Sequence, residues 1–346
     1  MIAFVALLLA LARDAVAPLR ELAELGLAAE LLAEYADDVA PGGELAAHAE
    51  AVALVARAQF DTGDETGARR RLHAFGDQDA RAVTLELARL DLDTDRLDDA
   101  WKRLIREDGR GPRATDDATA WLLLGRVAHR RGEHERARPL LERALELAPR
   151  GPEASAAWHM LGVGARGRRD AAAARACFER AADLRRWHDL FRARRLQVRA
   201  APNDPLPRLG LGLLWLEADE PARARAEFVR LTRDHPAFTR GWLYLGEAER
   251  QLLREEAALA AFGRALALDG DLALARAQRG ALHAAAARWP EAVRDLEHFA
   301  TLPEASQPGF AIAFWHLARA LDALGRADEA ERAFRRYRAL GGERAR

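Results

Sequence analysis

The fold is decided by residues 118–151, which read ATAWLLLGRVAHRRGEHERARPLLERALELAPRG. In each half, apolar and small side chains recur at the three- and four-residue spacing that places them on one face of a helix. They are Trp121, Leu124, Gly125 and Ala128 in the first half, and Ala137, Leu140, Leu141, Ala144 and Leu145 in the second. Gly132 interrupts the pattern between the halves, and Pro149 ends it. The segment therefore predicts two helices joined by a short turn.

The same pattern recurs along most of the chain. Clear copies lie at 155–188, 205–238 and 239–272, and weaker copies at 49–82, 81–114, 273–306 and 311–344. A helix pair has an apolar face that it cannot cover alone, so repeated pairs must stack to bury it. Strong helix formers dominate these windows and strand formers are scarce, which predicts an all-α chain.

The repeated segment resembles the 34-residue tetratricopeptide repeat, whose pattern is W-x2-L-G-x2-Y…A-x3-F…P. In 118–151, Ala128 stands in place of the Tyr and Leu141 in place of the Phe. The resemblance implies an α-solenoid of about eight units, in which antiparallel helix pairs stack into a right-handed superhelix.

Glycine recurs in the middle of the predicted first helices. The positions are Gly125, Gly162, Gly212, Gly246 and Gly280. In a helix interior Gly costs about 1 kcal/mol relative to Ala, so its repetition needs a compensating reason. We expect the partner helix to approach these positions too closely for a side chain.

The repeats divide the chain into five segments. Residues 1–12 are a continuous apolar stretch, either a signal peptide or a first helix, and 13–48 form a degenerate capping unit. Units 1–4 occupy 49–188, an extra helix and linker 189–204, and units 5–8 occupy 205–344. If 1–12 act as a signal peptide, the protein belongs to the cell envelope or periplasm, and otherwise to the cytoplasm. The sequence predicts no transmembrane segment.

The sequence does not favour catalytic, metal or cofactor chemistry. The formal net charge of −1 argues against a chain-wide commitment to nucleic acid. Residues 162–167 read GVGARG, but this glycine pattern lies inside a repeat helix and does not follow a strand. The spacing of His129 and His134 is not a usual metal-ligand spacing, and Ser and Cys are nearly absent. We therefore predict no enzyme activity, no metal and no small-molecule cofactor.

The resemblance also implies a binding surface, because the first helices of such repeats line a concave groove. Carried onto this chain, the basic groove residues are Arg57, Arg89, Arg126, Arg130 and Arg166, with His129 and Arg250 beside them. The apolar ones are Leu206, Leu209, Leu213 and Leu216. Such a groove suits a segment with acidic and hydrophobic parts, since Arg pairs with carboxylates. Alternatively, the arginines are solvated or paired with Asp61 and Asp93.

We accordingly expect a non-catalytic scaffold or adaptor that binds peptide or helical segments of a protein partner. The alternative is RNA binding through the Arg-rich stretch 166–199, where Trp187 and Phe191 could stack on bases. Phosphate binding weakens steeply with salt, whereas a groove holding apolar side chains tolerates it, so a salt titration separates the two.

Overall fold

The computed structural model describes residues 15–75, 80–105, 112 and 117–342. Over these residues the chain is a succession of helices, and the one β feature is an isolated antiparallel bridge between Ile105 and Pro112. This confirms the all-α prediction. No helix in the described ranges is both long enough and apolar enough to span a membrane.

Two compact units divide the chain, Met1–Arg192 and Ala193–Arg346, and we call them the N-terminal and C-terminal units. The N-terminal unit contains α1 (15–25), α2 (Ala28–Tyr35), α3 (Ala49–Asp61), α4 (Glu65–Ala74), α5 (Arg81–Asp93), α6 (Leu97–Leu104), α7 (Ala118–Arg130), α8 (His134–Leu147), α9 (Ala154–Gly167) and most of α10 (Ala171–Ala200). The C-terminal unit contains α11 (Pro205–Glu217), α12 (Pro221–Asp234), α13 (Thr239–Gln251), α14 (Glu255–Leu268), α15 (Ala273–Ala285), α16 (Trp289–Thr301), α17 (Ala311–Ala323) and α18 (Ala327–Ala339). Two short 3-10 turns, Pro303–Ser306 and Pro308–Phe310, lie between α16 and α17.

The helices pair as the repeat pattern predicts. Each repeat contributes two consecutive helices that pack against each other, from α3 and α4 to α17 and α18. Trp121 and Trp158, which share one position of the pattern, pack against the same apolar core. In the C-terminal unit the second helices bring Phe228, Phe262 and Phe299 into full burial.

The same backbone turn closes the first helix of every repeat. The residue in that place has a positive φ in each, namely Gly63, Asp95, Gly132, Arg169, Asp219, Leu253, Ala287 and Gly325. The left-handed conformation reverses the chain and suits Gly, but costs other residues free energy. Five of these turns therefore carry a residue that is not the conformationally favoured one.

The repeated glycines mark the closest helix contacts, as predicted. A Cβ built on each would overlap the large side chain 16 positions later, on the second helix of the same repeat. The pairs are Gly125–Leu141, Gly162–Phe178, Gly212–Phe228, Gly246–Phe262 and Gly280–Leu296. In the Gly246 pair the nearest ring carbons lie 2.7 Å from that Cβ, where an ordinary carbon contact is about 3.5–4.0 Å.

Buried acids connect neighbouring repeats. Asp91, on the first helix of one repeat, accepts hydrogen bonds at 2.7 Å from Arg69 of the preceding repeat and at 2.9 Å from Arg103. Glu249 repeats the arrangement and accepts at 2.6 Å from Arg225. Because an unpaired buried charge is costly, these pairs fix how one repeat sits on the next.

The segment 189–204 differs from its description as a separate extra helix. Residues 189–200 continue α10, which begins at Ala171 and runs unbroken to Ala200. The sequence DLFRARRLQVRA contains no Gly or Pro that would end a helix before Pro202. The boundary between the two compact units falls inside this helix.

Candidate binding cleft

Three of the predicted groove arginines come together in the N-terminal unit. Arg57, Arg89 and Arg126 lie on α3, α5 and α7, the first helices of three successive repeats. Their side chains are each about three-quarters buried, with 29%, 27% and 27% of their surface exposed. The three arginines share one position of the repeat, and stacking of the repeats brings their side chains close to one another.

Carboxylates join these arginines into a closed network. Arg57 donates to Asp93 at 2.6 Å, and Asp93 lies 3.8 Å from Arg126. Glu153 accepts from both Arg126 and Arg89 at 2.8 Å. Glu86 completes the circuit, 3.4 Å from Arg89 and 3.8 Å from Arg57, and Asp61 adds a further pair to Arg57 at 3.0 Å.

The pairing with Asp61 and Asp93 that the sequence left open is present at Arg57, which contacts both carboxylates. Two further partners, Glu86 and Glu153, were missed from the sequence. Glu86 precedes Arg89 by three positions on α5, a spacing typical of helical ion pairs that could have signalled it. Glu153 lies in the turn before α9, and no local pattern connects it to Arg89 or Arg126.

Glu86 is the unusual member of the network. Only 6% of the residue is exposed, and within the described part of the chain its Oε1 atom accepts no hydrogen bond. Burial raises the pKa of this carboxyl, against the opposing effect of Arg89 and Arg57. For Arg57 burial alone would lower the pKa, but the hydrogen bond that Arg57 donates to Asp93 and the surrounding carboxylates raise it.

An open cleft of about 400 Å³ lies against this network. Its polar side includes Arg57, Arg89, Asp61, Glu86 and Glu153. Its apolar side includes Leu54, Ala118, Leu122, Leu145 and Pro152, contributed by three helices and the turn before α9. The arrangement offers charged groups beside an apolar wall, which is the usual make-up of a ligand cleft.

Other groove residues of the N-terminal unit lie elsewhere. His129 packs against His134 with ring centroids 5.0 Å apart, and burial, with the charges of His134 and His159, lowers its pKa. Arg130 donates to the Leu92 carbonyl at 2.6 Å. These two residues secure the ends of helices and do not line the cleft.

Arg166 and the helix α10 carry the residues of the RNA alternative. Arg166 is exposed, with its guanidinium 5.9 Å from the centroid of the Phe178 ring. Arg175 pairs with Glu179 one turn away on the same helix. The rings of Trp187 and Phe191 stack on each other at 5.1 Å.

The apolar groove residues of the C-terminal unit divide between surface and core. Leu206 is 53% exposed, and Leu213 and Leu216 are half-buried against the core of α11–α13. Leu209 is only 5% exposed and belongs to that core, among buried residues of α12 and α13. Arg250 makes two hydrogen bonds to Glu247, at 2.9 and 2.6 Å.

No group of three or more metal-ligating side chains is found among the described residues. Cys177 is a free, half-buried thiol, and burial raises its pKa. A raised pKa disfavours the reactive thiolate, so this residue is poorly suited to nucleophilic chemistry.

Comparison with known proteins finds a family match for part of the chain. Residues 116–186 match the family model described as tetratricopeptide repeat. No curated protein matches the chain. Similar solved structures include MamA, with 22% identity, a TM-score of 0.39 and coverage of 52% of this chain and 94% of that one. A structure of PilF from Pseudomonas aeruginosa has 17% identity, a TM-score of 0.38 and coverage of 65% and 93%.

Proposed function

We propose that this chain, whose residues 116–186 match the tetratricopeptide repeat, is a non-catalytic scaffold that holds a segment of a protein partner in the cleft of its N-terminal unit. The observation that supports this proposal is the cleft of about 400 Å³ beside the Arg57–Glu86–Arg89 network. Tetratricopeptide repeats are protein-interaction modules in general, and this cleft is where we propose that the interaction takes place.

The lining of the cleft suits binding. Small residues such as Ala118, Ala148 and Ala154 leave room beside the helices, while Leu122 and Leu145 provide apolar surface. The arginines are held in place by their carboxylates, so a bound segment would meet a preorganised polar surface and little side-chain entropy would be lost. Among the residues lining this cleft there is no Ser, Cys or His.

The proposal can be tested by filling the cleft. Random linear peptides of about 12 residues displayed on phage are selected on the immobilised full-length chain, and the affinity of the enriched peptides is measured by calorimetry. In the variant Ala118→Trp, an indole is added to a half-buried residue that lines the cleft. We expect the indole to occupy part of the cleft, so that the peptide loses contact area there. The affinity should fall at least about tenfold, which is a loss of about 1.4 kcal/mol.

The matched control is Ala171→Trp. Ala171 is also the first residue of a helix in the N-terminal unit, but it is exposed and lies outside the cleft. Its affinity for the selected peptides should equal that of the unaltered chain. The proposal is wrong if no peptide is enriched, or if both variants bind equally well.

RNA binding through 166–199 remains the alternative proposal, and no contact in the described residues favours it over the cleft. Its test is a titration of the full chain with mixed-sequence RNA at low and high salt. A dissociation constant that rises steeply with salt would support the alternative.

A further inference from the structure

We propose that the segment held in the cleft presents a lysine or arginine side chain next to an apolar one. This inference rests on the proposed function, because it concerns the occupant of the same cleft. It reverses the acidic partner that the arginine column indicates in the sequence.

The charges of the network support a cationic occupant. Arg57, Arg89 and Arg126 face four carboxyl groups, those of Asp61, Glu86, Asp93 and Glu153, which leaves one negative charge in excess when Glu86 is ionised. Every arginine of the network already has at least two of these carboxylates within 4 Å. An acidic segment would therefore meet arginines that each have at least two carboxylate partners already, and a site of its own charge.

Glu86 supplies the independent observation. Glu86 lines the cleft, yet its Oε1 accepts no hydrogen bond from the described residues, and the Nη1 atom of Arg57 is 3.8 Å from it. A buried carboxylate oxygen without a donor is costly. An ammonium or guanidinium group that enters the cleft would supply that donor and remove the cost.

Asp61 provides the accessible part of the site. Its side chain is 44% exposed and lines the cleft. The Arg57 guanidinium that it contacts is shared with Asp93, which takes the shorter bond at 2.6 Å. A cation can therefore approach Asp61 from the open side, with the aliphatic part of its side chain against Leu54 and Leu122.

The test uses the peptides enriched on the full-length chain. We expect them to contain Lys or Arg beside a Leu, Ile, Val or Phe. In Asp61→Asn their affinity should fall about fivefold, as expected for a partly exposed ion pair, and in Glu86→Gln more than about tenfold, as expected for a buried one. Replacing the basic residue of the best peptide by Glu should remove its binding.

The control is Asp98→Asn. Asp98 is another aspartate paired with an arginine, Arg131, but it is 82% exposed and lies outside the cleft. This variant should bind the basic peptides as the unaltered chain does. Circular dichroism establishes that each variant is folded, and Asp61→Asn, which changes an exposed side chain, provides the result if Glu86→Gln is unfolded.

The outcomes separate the two proposals. Enriched peptides that are acidic, lose binding in Ala118→Trp and bind Asp61→Asn more tightly would overturn the cationic occupant and leave the scaffold function standing. Basic peptides whose affinity is the same in Asp61→Asn and Asp98→Asn would also overturn it. If Ala118→Trp does not change the affinity, the cleft is not the binding site and both proposals are wrong.

Discussion

The tight contact between Gly246 and Phe262 can be measured by adding one methyl group. In Gly246→Ala the new Cβ would lie 2.7 Å from two ring carbons and 3.0 Å from a third. Phe262 is fully buried at the centre of its repeat, so the ring has no room to withdraw. The helices α13 and α14 must separate by several tenths of an ångström to accept the methyl group.

The expected magnitude follows from two opposing effects. Overpacking of a well-packed core costs about 1–3 kcal/mol. Because the one added carbon lies too close to two carbons of a rigid ring, we place the cost at this site at about 2 kcal/mol. Alanine regains about 1 kcal/mol over glycine inside a helix. We therefore expect Gly246→Ala to lower the free energy of unfolding by about 1 kcal/mol.

The control comes from the same repeat. Gly263 lies inside α14, and its nearest neighbour, the Arg279 side chain, would be 3.7 Å from a Cβ, an ordinary contact. Gly263→Ala should raise the free energy of unfolding by about 0.5–1 kcal/mol. Urea denaturation followed by circular dichroism, with hydrogen exchange of the α13 and α14 amides, measures both variants. Equal stabilisation by both substitutions would refute the close-packing explanation of the repeated glycines.

Three further predictions concern stability. Leu253 has a φ of 58° and is 92% exposed, so Leu253→Gly should raise the free energy of unfolding by about 0.5–1 kcal/mol in urea denaturation. The control Leu252→Gly changes a residue at φ −81° and should lower it. Asp295 is buried and accepts two 2.7 Å hydrogen bonds from Arg279, so Asp295→Ala should lower the free energy of unfolding by about 3 kcal/mol, measured by thermal unfolding. The control Asp271→Ala changes an exposed side chain and should lower it by less than about 0.5 kcal/mol. Burial, followed by the charge of Arg319, lowers the pKa of His316, so the folded chain binds fewer protons there than the unfolded chain, whose pKa is about 6.5. The stabilisation from neutral His316 is complete above about pH 6.5 and is lost as the pH falls through the pKa of the folded state. The urea midpoint should therefore change less between about pH 7.5 and 5 in His316→Gln than in the unaltered chain. An equal change of the midpoint with pH in both proteins would contradict this assignment.

The sequence alone determined the repeat architecture. Helix pairing depends on side chains three and four positions apart, and on a turn residue in a fixed place, so each repeat states its own fold locally. The spacing of Gly125 and Leu141 recurs in four other repeats, and the structure places all five pairs in contact. Repeats whose turn residue is not Gly adopt the same backbone turn, since Leu253 and Ala287 also have a positive φ.

Only the tertiary structure decided the charge of the cleft. Arg126 meets Glu153 across 27 positions and Arg89 meets it across 64, contacts that exist because the repeats stack and that no spacing within one repeat encodes. The sequence placed the arginines in one column, but it could not reveal that four carboxylates would surround three of them. Burial likewise separated Leu209 from Leu206, since the rotation of α11 against its neighbours decides which leucine faces the core.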